Sequence, residues 1–234
     1  MPRVTVNGWK FLYRQAGTGP DVVLLPGASR VALCRSLFDA LAVDFRVTVY
    51  QPRVGPVDGI ASADVADDLF ALQGKLGLGP SYVVAHGRAS VAALHAAVLF
   101  PDAVAGLVLA EPRLPEARNG TVVGTRSGLT TRRILQIEQP VVVTCSPASS
   151  ALPLCLYLEG HLPRCKAATA PEDAAGLVAS IQEHLREMGG TPCAVEGTAT
   201  APTSRTGPHA LSWPEAGDGY AVSRWMARLS AWGS

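Results

Sequence analysis

The stretch Tyr82–Val91, YVVAHGRASV, decides the fold because it joins two different local patterns. Residues 82–85 form a short continuous apolar run, which is typical of a strand buried on both faces. From residue 89 the chain is mostly small and apolar as far as residue 100, and Pro101 ends a helix there. The sequence therefore predicts a strand that turns sharply into a helix at Gly87.

The same alternation of strands and helices continues on both sides of this stretch. The further predicted strands are apolar or β-branched runs at 4–6, 10–14, 22–25, 46–50, 106–110 and 141–145. The further predicted helices have apolar stripes or good first-turn residues and lie at 32–41, 62–76 and 172–188. Such alternation predicts an α/β protein with a mostly parallel sheet and helices on both faces.

The ends of the predicted strands indicate where a site should lie. In a parallel sheet the carboxyl ends of the strands share one rim, and ligands bind beyond it. The loops that follow predicted strands begin near Pro26, Gln51, His86, Glu111 and Ser146. We therefore expect these five loops to lie together at one rim of the sheet.

Composition divides the chain into a core and an extension. Residues 1–188 carry the alternating pattern and are long enough for one domain with a full hydrophobic core. Within this core, residues 112–138 are polar and basic, which predicts a short lid over the rim. Residues 189–234 are rich in Gly, Pro, Ser and Thr, which predicts a C-terminal extension, with a short helix at 220–232 that docks on the core.

The charge and the cysteine content argue against several classes of function. A formal net charge of +1 does not suggest nucleic acid or an anionic membrane surface as a partner. The sequence has no apolar run of about 18 residues to span a membrane, and it shows no signal-peptide pattern. Its five cysteines lack metal-ligand spacing, and no phosphate-binding glycine motif occurs. We therefore expect a cytoplasmic protein without metal or cofactor.

Four segments of the first half occur in the order and spacing that characterise the α/β-hydrolase family. They are Pro26-Gly27, Gln51-Pro52-Arg53-Val54-Gly55, Ala85-His86-Gly87-Arg88-Ala89-Ser90, and Phe100-Pro101-Asp102 with the strand after it. They resemble, in turn, the family's oxyanion loop, its Asp-x-Arg-Gly-x-Gly loop, its nucleophile motif Gly-His-Ser-x-Gly-Gly and the stretch that follows its nucleophile helix. The resemblance covers roughly residues 5–112 and implies an α/β-hydrolase fold with a short lid.

The chain departs from this family at the residues that perform its chemistry. Gly87 stands where the family carries its nucleophilic serine, and glycine has no side chain with which to attack. The small residues Ala85 and Ala89 still permit the sharp turn. By the same resemblance, residues 146–150 lack the acid of the triad and residues 166–171 lack its histidine, although Glu111 follows the preceding strand, where some members of the family keep their acid. The resemblance therefore implies an atypical member without a working triad, which is not a conventional serine hydrolase.

A binding site is expected at the rim even without the triad. The resemblance implies a cradle for a ligand oxygen, built from the backbone of Gly27, Ala28, Gly87 and Arg88. The candidate substrate-binding side chains are those of Ser29, Arg53, His86, Arg88 and Glu111. The two arginines either bind a carboxylate-bearing ligand or are simply solvated. His86 either packs beside its strand or acts as a base, and Glu111 is the one carboxylate expected at a strand end.

Three functions are compatible with this pattern. The first is a cofactor-free isomerase or epimerase that stabilises an enolate of an anionic, modified-peptide substrate. It follows from a resemblance to the atypical α/β-hydrolase-fold proteins of natural-product (antibiotic) pathways, such as the epimerases of bottromycin biosynthesis, which lack a working triad. The second is a catalytically inactive homologue that binds a small molecule or a peptide. The third is a hydrolase with a relocated nucleophile, Ser29, Ser90 or Cys34, that acts with His86.

Overall fold

The structure is a computed structural model in which part of the chain is described. The described ranges are 2–25, 31–50, 62–113, 123–124, 129–171 and 173–189. The predictions for Gly27, Ala28, Ser29 and Arg53 lie outside the described residues, as does the extension from residue 190 onwards. The elbow and the strand ends near it, by contrast, are described.

Strands and helices alternate along the described chain. The strands are β1 (Arg3–Val6), β2 (Trp9–Ala16), β3 (Asp21–Leu25), β4 (Arg46–Tyr50), β5 (Ser81–His86), β6 (Val104–Ala110), β7 (Val123–Gly124), β8 (Leu129–Thr130), β9 (Val141–Cys145) and β10 (Cys165–Thr169). The helices are α1 (Val31–Leu41), α2 (Ser62–Leu76), α3 (Ser90–Leu99), α4 (Thr131–Ile134), α5 (Leu152–His161) and α6 (Ala174–Gly189). None of these described helices is both long enough and apolar enough to cross a membrane.

Eight strands form one sheet in the order β1-β2-β4-β3-β5-β6-β9-β10. The six strands from β4 to β10 in that order run parallel, whereas β1 and β2 join one edge in antiparallel pairing. The predicted α/β class with a mostly parallel sheet is therefore confirmed. After β3 the next strand of the chain, β4, is added on one side of β3. After β5 the next strand, β6, is added on the opposite side, so the direction in which strands are added reverses between β3 and β5. Such a reversal opens a crevice beyond the carboxyl ends of these two strands.

An apolar layer lies on each face of the sheet. On β5, Val83 and Ala85 belong to the layer that includes residues of α2, α3 and α5, whereas Val84 belongs to the layer that includes residues of α1 and α6. Helices thus cover both faces, as predicted. All residues of β3 and β9 are buried, so neither strand has a solvated face. Burial on both faces explains why these strands are continuous apolar runs in the sequence.

A partly buried ion pair joins the amino ends of β3 and β4. Asp21 is 8 % exposed, and its carboxylate accepts hydrogen bonds from Nε and Nη2 of Arg46 at 2.5 and 2.7 Å. The same carboxylate accepts the amide of Gly79 at 2.8 Å, which ties in the turn before β5. Charge-assisted bonds of this kind are stronger than neutral ones. They fasten the end of the sheet that lies opposite the rim.

The edge strand β10 and the short elements between β6 and β9 were not predicted from the sequence. Within the predicted lid at 112–138, the structure describes the antiparallel β7–β8 pair and the single turn of α4. Leu129, Ile134 and Ile137 are buried in the same layer as α2 and α3. The described second part of this segment therefore packs on the core, and closure of a lid over the rim stays a prediction.

Candidate functional site

The strand-to-helix turn after β5 is the centre of the candidate site. Strand β5 ends at His86, a 3₁₀ turn covers Gly87–Ala89, and α3 begins at Ser90. Gly87 is buried and has a φ of +62°, in the left-handed region that glycine adopts without a steric penalty. A Cβ built at this position would meet no described atom within 4 Å. The predicted turn at Gly87 is confirmed, and it leaves open space where a side chain would start.

The segment after β6 is hydrogen-bonded to this elbow. The amide of Arg113 donates to the carbonyl of Gly87 at 3.0 Å. Arg88, the residue after Gly87, and Arg113 are both exposed. Sequence reasoning counted Arg113 only among the arginines of the basic lid. The signal that places it at the site is its position three residues after the end of a central strand.

Glu111 connects the ends of β6 and β9. Its amide donates to the carbonyl of Thr144 at 2.8 Å, and its φ of +48° is unusual for a residue with a side chain. One carboxylate oxygen, Oε1, accepts the amide of Ser146 at 2.9 Å, and the other, Oε2, accepts the hydroxyl of Ser149. Both oxygens are therefore engaged by the turn after β9.

His86 lies on the face of the sheet that packs against α1 and α6. It is in register with Ala110 on β6, which is in register with Thr144 on β9. The ring nitrogens of His86 are shielded from solvent. Thr144 is fully buried, and its hydroxyl has no hydrogen-bond partner. The histidine therefore lies beneath the rim rather than exposed above it.

Solved structures of other proteins share this architecture. An alpha/beta hydrolase from Sphaerobacter thermophilus is 18 % identical, with a TM-score of 0.65, and the match covers 79 % of this chain and 100 % of that one. A thermophilic esterase from Thermogutta terrifontis, with malate bound, is 16 % identical at a TM-score of 0.66, with 81 % and 100 % covered. The enol-lactonase from Burkholderia xenovorans LB400 is 14 % identical at a TM-score of 0.64, with 80 % and 99 % covered. The chain has the α/β-hydrolase fold.

At these identities the likeness shows the fold and no activity, because one fold supports many functions. No family model matches the sequence, and no curated protein matches it. The chemistry of the site therefore depends on its own residues.

In the α/β-hydrolase fold the nucleophile stands at a strand-to-helix elbow, and Gly87 lies in the elbow that follows β5. The two alternative nucleophiles that the structure describes are both buried. Ser90 is 0 % exposed, and its hydroxyl has no hydrogen-bond partner among the described residues. Burial raises the pKa of the Cys34 thiol to about 12, which keeps it protonated at neutral pH. Neither side chain is available to attack a substrate as the structure stands.

The two described segments in which the resemblance places the acid and the histidine of the triad, residues 146–150 and 166–171, contain neither residue. After β9, Ser146 and Ser149 serve as donors to Glu111. The stretch expected to hold the histidine is largely β10, which contains none. His161 ends α5, where it stacks on Tyr157 with 4.1 Å between ring centroids. These placements agree with the expected loss of the triad, which stays a prediction from the sequence.

The structure thus brings part of the predicted site together. His86, Gly87, Arg88 and Glu111 lie at the ends of the neighbouring strands β5 and β6, and Arg113 adjoins them. Within the described ranges, no group of three or more His, Cys, Asp or Glu side chains is arranged to hold a metal ion. The roles of these residues remain to be argued chemically.

Proposed function

We propose that this chain is a cofactor-free isomerase or epimerase that uses the α/β-hydrolase fold without hydrolysis. Its substrate in this proposal is anionic, a modified peptide of natural-product biosynthesis. The observation that carries the proposal is the elbow, where Gly87 has a φ of +62° and no described atom lies within 4 Å of the place where a side chain would start. A substrate carbon can approach the cradle in the place where a hydrolase holds its nucleophile.

The proposed reaction is a proton transfer at one carbon. A base removes the proton next to a carbonyl group, and the electron pair of the broken C–H bond forms an enolate. Backbone N–H groups at the elbow, that of Arg88 among them, stabilise the charge on the enolate oxygen. Return of a proton to the opposite face of the carbon inverts it. No bond to the protein forms, so the missing nucleophile is no obstacle.

The described residues favour the substrate's own carboxylate as the base. Glu111 is the carboxylate that the structure describes at the rim, and its hydrogen bonds to Ser146 and Ser149 hold both of its oxygens towards the turn after β9. The ring nitrogens of His86 are shielded from solvent. A general base must reach the proton that it removes. A carboxylate carried by the substrate meets that condition without any movement of Glu111 or His86.

Two fold neighbours are in line with this chemistry. One is an enol-lactonase, and another is an esterase whose structure contains malate, a dicarboxylate. Both names are compatible with an enol-type or anionic ligand on this fold. At their low identities they support nothing more specific.

One substrate in deuterated water tests the proposal. N-acetyl-aspartate α-methyl ester carries an exchangeable α-proton, a free carboxylate and a cleavable ester. Proton NMR follows loss of the α-proton signal, which reports exchange, and appearance of methanol, which reports hydrolysis. We expect exchange above the protein-free rate without added methanol. The matched control, N-acetyl-alanine methyl ester, lacks the side-chain carboxylate and should show neither. Methanol release without exchange would overturn the proposal in favour of a hydrolase.

A binding protein without catalysis is the second candidate. The observation that favours it is the engagement of both Glu111 oxygens, together with the burial of Ser90 and Cys34. In the same experiment, broadening of the ester's signals with neither exchange nor methanol would support binding alone. That outcome would contradict the isomerase.

A further inference from the structure

We propose that Arg88 and Arg113 form a clamp for a carboxylate of the substrate, on the β6 side of the elbow. This inference rests on the proposed function. It names the two side chains that would bind the anionic substrate of that function. Its ligand class is a side-chain carboxylate of the aspartyl type, held beside the carbon that reacts.

The backbone fixes the two arginines next to each other. The amide of Arg113 donates to the carbonyl of Gly87 at 3.0 Å, and that carbonyl group is covalently bonded to the nitrogen of Arg88. Standard bond lengths then place the two Cα atoms within about 7 Å of one another. Two arginine side chains rooted this close are long enough to meet on one carboxylate. Because the hydrogen bond involves only backbone atoms, it persists when the Arg113 side chain is replaced.

The charge of this pair is uncompensated by the residues that the structure describes. Arg88 and Arg113 are exposed, and neither forms an ion pair with a described acidic side chain. The nearest acid along the chain, Glu111, directs both carboxylate oxygens to donors of the turn after β9. Two like charges close together repel each other, and an anion between them relieves that repulsion. The arrangement therefore favours a negatively charged ligand.

The shape of the arginine side chain favours a carboxylate as the anion that binds. The guanidinium group is planar and presents paired N–H donors that match the two oxygens of a carboxylate. A lysine at either position would supply charge without this geometry. The pair also lies at the rim where ligands of parallel sheets bind, next to the elbow backbone that holds the enolate oxygen in the proposed reaction.

Two probes and three variants test the clamp. N-acetyl-aspartate α-amide and N-acetyl-asparagine α-amide have nearly the same shape and differ in charge. Their dissociation constants are measured by ligand-observed NMR at low ionic strength. We expect the wild type to prefer the aspartate probe, and Arg113→Gln and Arg88→Gln each to raise its Kd roughly tenfold or more. The control is Arg164→Gln, which removes an exposed arginine just before the amino end of the edge strand β10, at the end of the sheet away from the rim. It should leave the Kd unchanged.

The outcomes separate this inference from the proposed function. Equal binding of the two probes by the wild type, or equal Kd values for Arg113→Gln and Arg164→Gln, would overturn the clamp. If exchange of the aspartyl ester continues in that case, the proposed function still stands. Arginine-dependent binding of the aspartate probe without any exchange of the ester would support the clamp and overturn the isomerase.

Discussion

At the scale of single residues, Gly87 determines the shape of the elbow and provides no side chain that could attack a substrate. With a φ of +62°, a residue bearing a Cβ pays a conformational penalty of about 1–2 kcal/mol. The penalty arises within the local backbone and not from other residues, because a Cβ there meets no described atom within 4 Å. A side chain is therefore tolerated at moderate cost, and substitution of this residue separates the fold from the chemistry.

We expect Gly87→Ser to fold but to gain no esterase activity. Its free energy of unfolding, measured by denaturant titration, should fall by about 1–2 kcal/mol. A serine attacks only when a base removes its proton. The family resemblance places that base in residues 166–171, which contain no histidine. The matched control is Gly87→Ala, which carries the same backbone penalty. Faster turnover of p-nitrophenyl acetate by the serine variant than by the alanine variant would falsify the loss of the triad.

Glu111 is the second residue whose role can be tested by a single substitution, because its carboxylate binds two groups of one turn. Glu111→Gln keeps the size of the side chain but replaces one acceptor oxygen with a donor nitrogen. The amide oxygen can still accept from the Ser146 amide, and the nitrogen can donate to the Ser149 hydroxyl, so two charge-assisted hydrogen bonds become neutral ones. We expect the free energy of unfolding to fall by about 1 kcal/mol, because hydrogen bonds to charged groups contribute more than neutral ones. The control is the exposed Glu138→Gln. Equal stability of the two variants would show that the Glu111 carboxylate is not a structural cap.

At the scale of secondary-structure elements, the sequence predicted those parts whose signal is contained in the element itself. Strands β3, β5 and β9 are continuous apolar runs because they are buried on both faces. Strand β10 was not predicted because it is a half-exposed edge strand with the sequence CKAAT. It contains no aromatic residue and a single β-branched one, although both types are typical of strands. At the site, the elbow was predicted because its turn is local. The contacts of Glu111 were not, because they depend on β9 lying beside β6.

Helix α6 shows how an element is fastened by a contact that the sequence does not reveal. The carboxylate of Asp44, just before β4, accepts hydrogen bonds from Nη2 of Arg186 at 2.6 Å and from Nε2 of Gln182 at 3.2 Å. The hydrogen bond from Arg186 holds the pKa of Asp44 below its ordinary value of 3.8. A lowered pKa in the folded state means that the carboxylate stabilises the fold above about pH 4. That stabilisation is lost as the pH falls through the folded-state pKa.

We therefore expect Asp44→Asn to reduce the stability at pH 6 but hardly at pH 2.5. The loss at pH 6 should be at most about 1 kcal/mol, because the partner Arg186 is half exposed to solvent. Thermal melts of the wild type and the variant between pH 2.5 and 7 measure the difference. Asp39→Asn, which breaks an exposed pair with Arg35 within α1, serves as the control. A difference between wild type and Asp44→Asn that is independent of pH would contradict the assignment.

At the scale of the whole molecule, the two ends of the sheet differ in character. The amino end is fastened by Asp21, whose carboxylate joins the starts of β3 and β4 to the turn before β5. The carboxyl end carries the elbow, the exposed arginines and the loops that follow the strands. This division allows the rim to vary in chemistry while the core stays the same, which is why the fold alone does not reveal the activity.

The same reasoning predicts that the chain folds without residues 190–234. Helix α6 closes the core by burying Leu177, Ile181 and Leu185, and the hydroxyl of Tyr82 donates to the carbonyl of Met188 in its last turn at 3.0 Å. We expect a chain truncated after Gly189 to unfold cooperatively, with a Tm within about 4 °C of the full chain, which corresponds to ~1 kcal/mol or a little more. Circular dichroism and calorimetry measure this.

A second truncation, after residue 173, provides the contrast for that experiment. It removes α6, and each buried leucine or isoleucine that leaves the core with it costs about 1.5–3 kcal/mol. The summed loss is comparable to the whole unfolding free energy of an ordinary domain, so this shorter chain should not fold. If the chain truncated after Gly189 also melts without cooperativity, the extension is part of the core, and the division into a core at 1–188 and an extension at 189–234 is wrong.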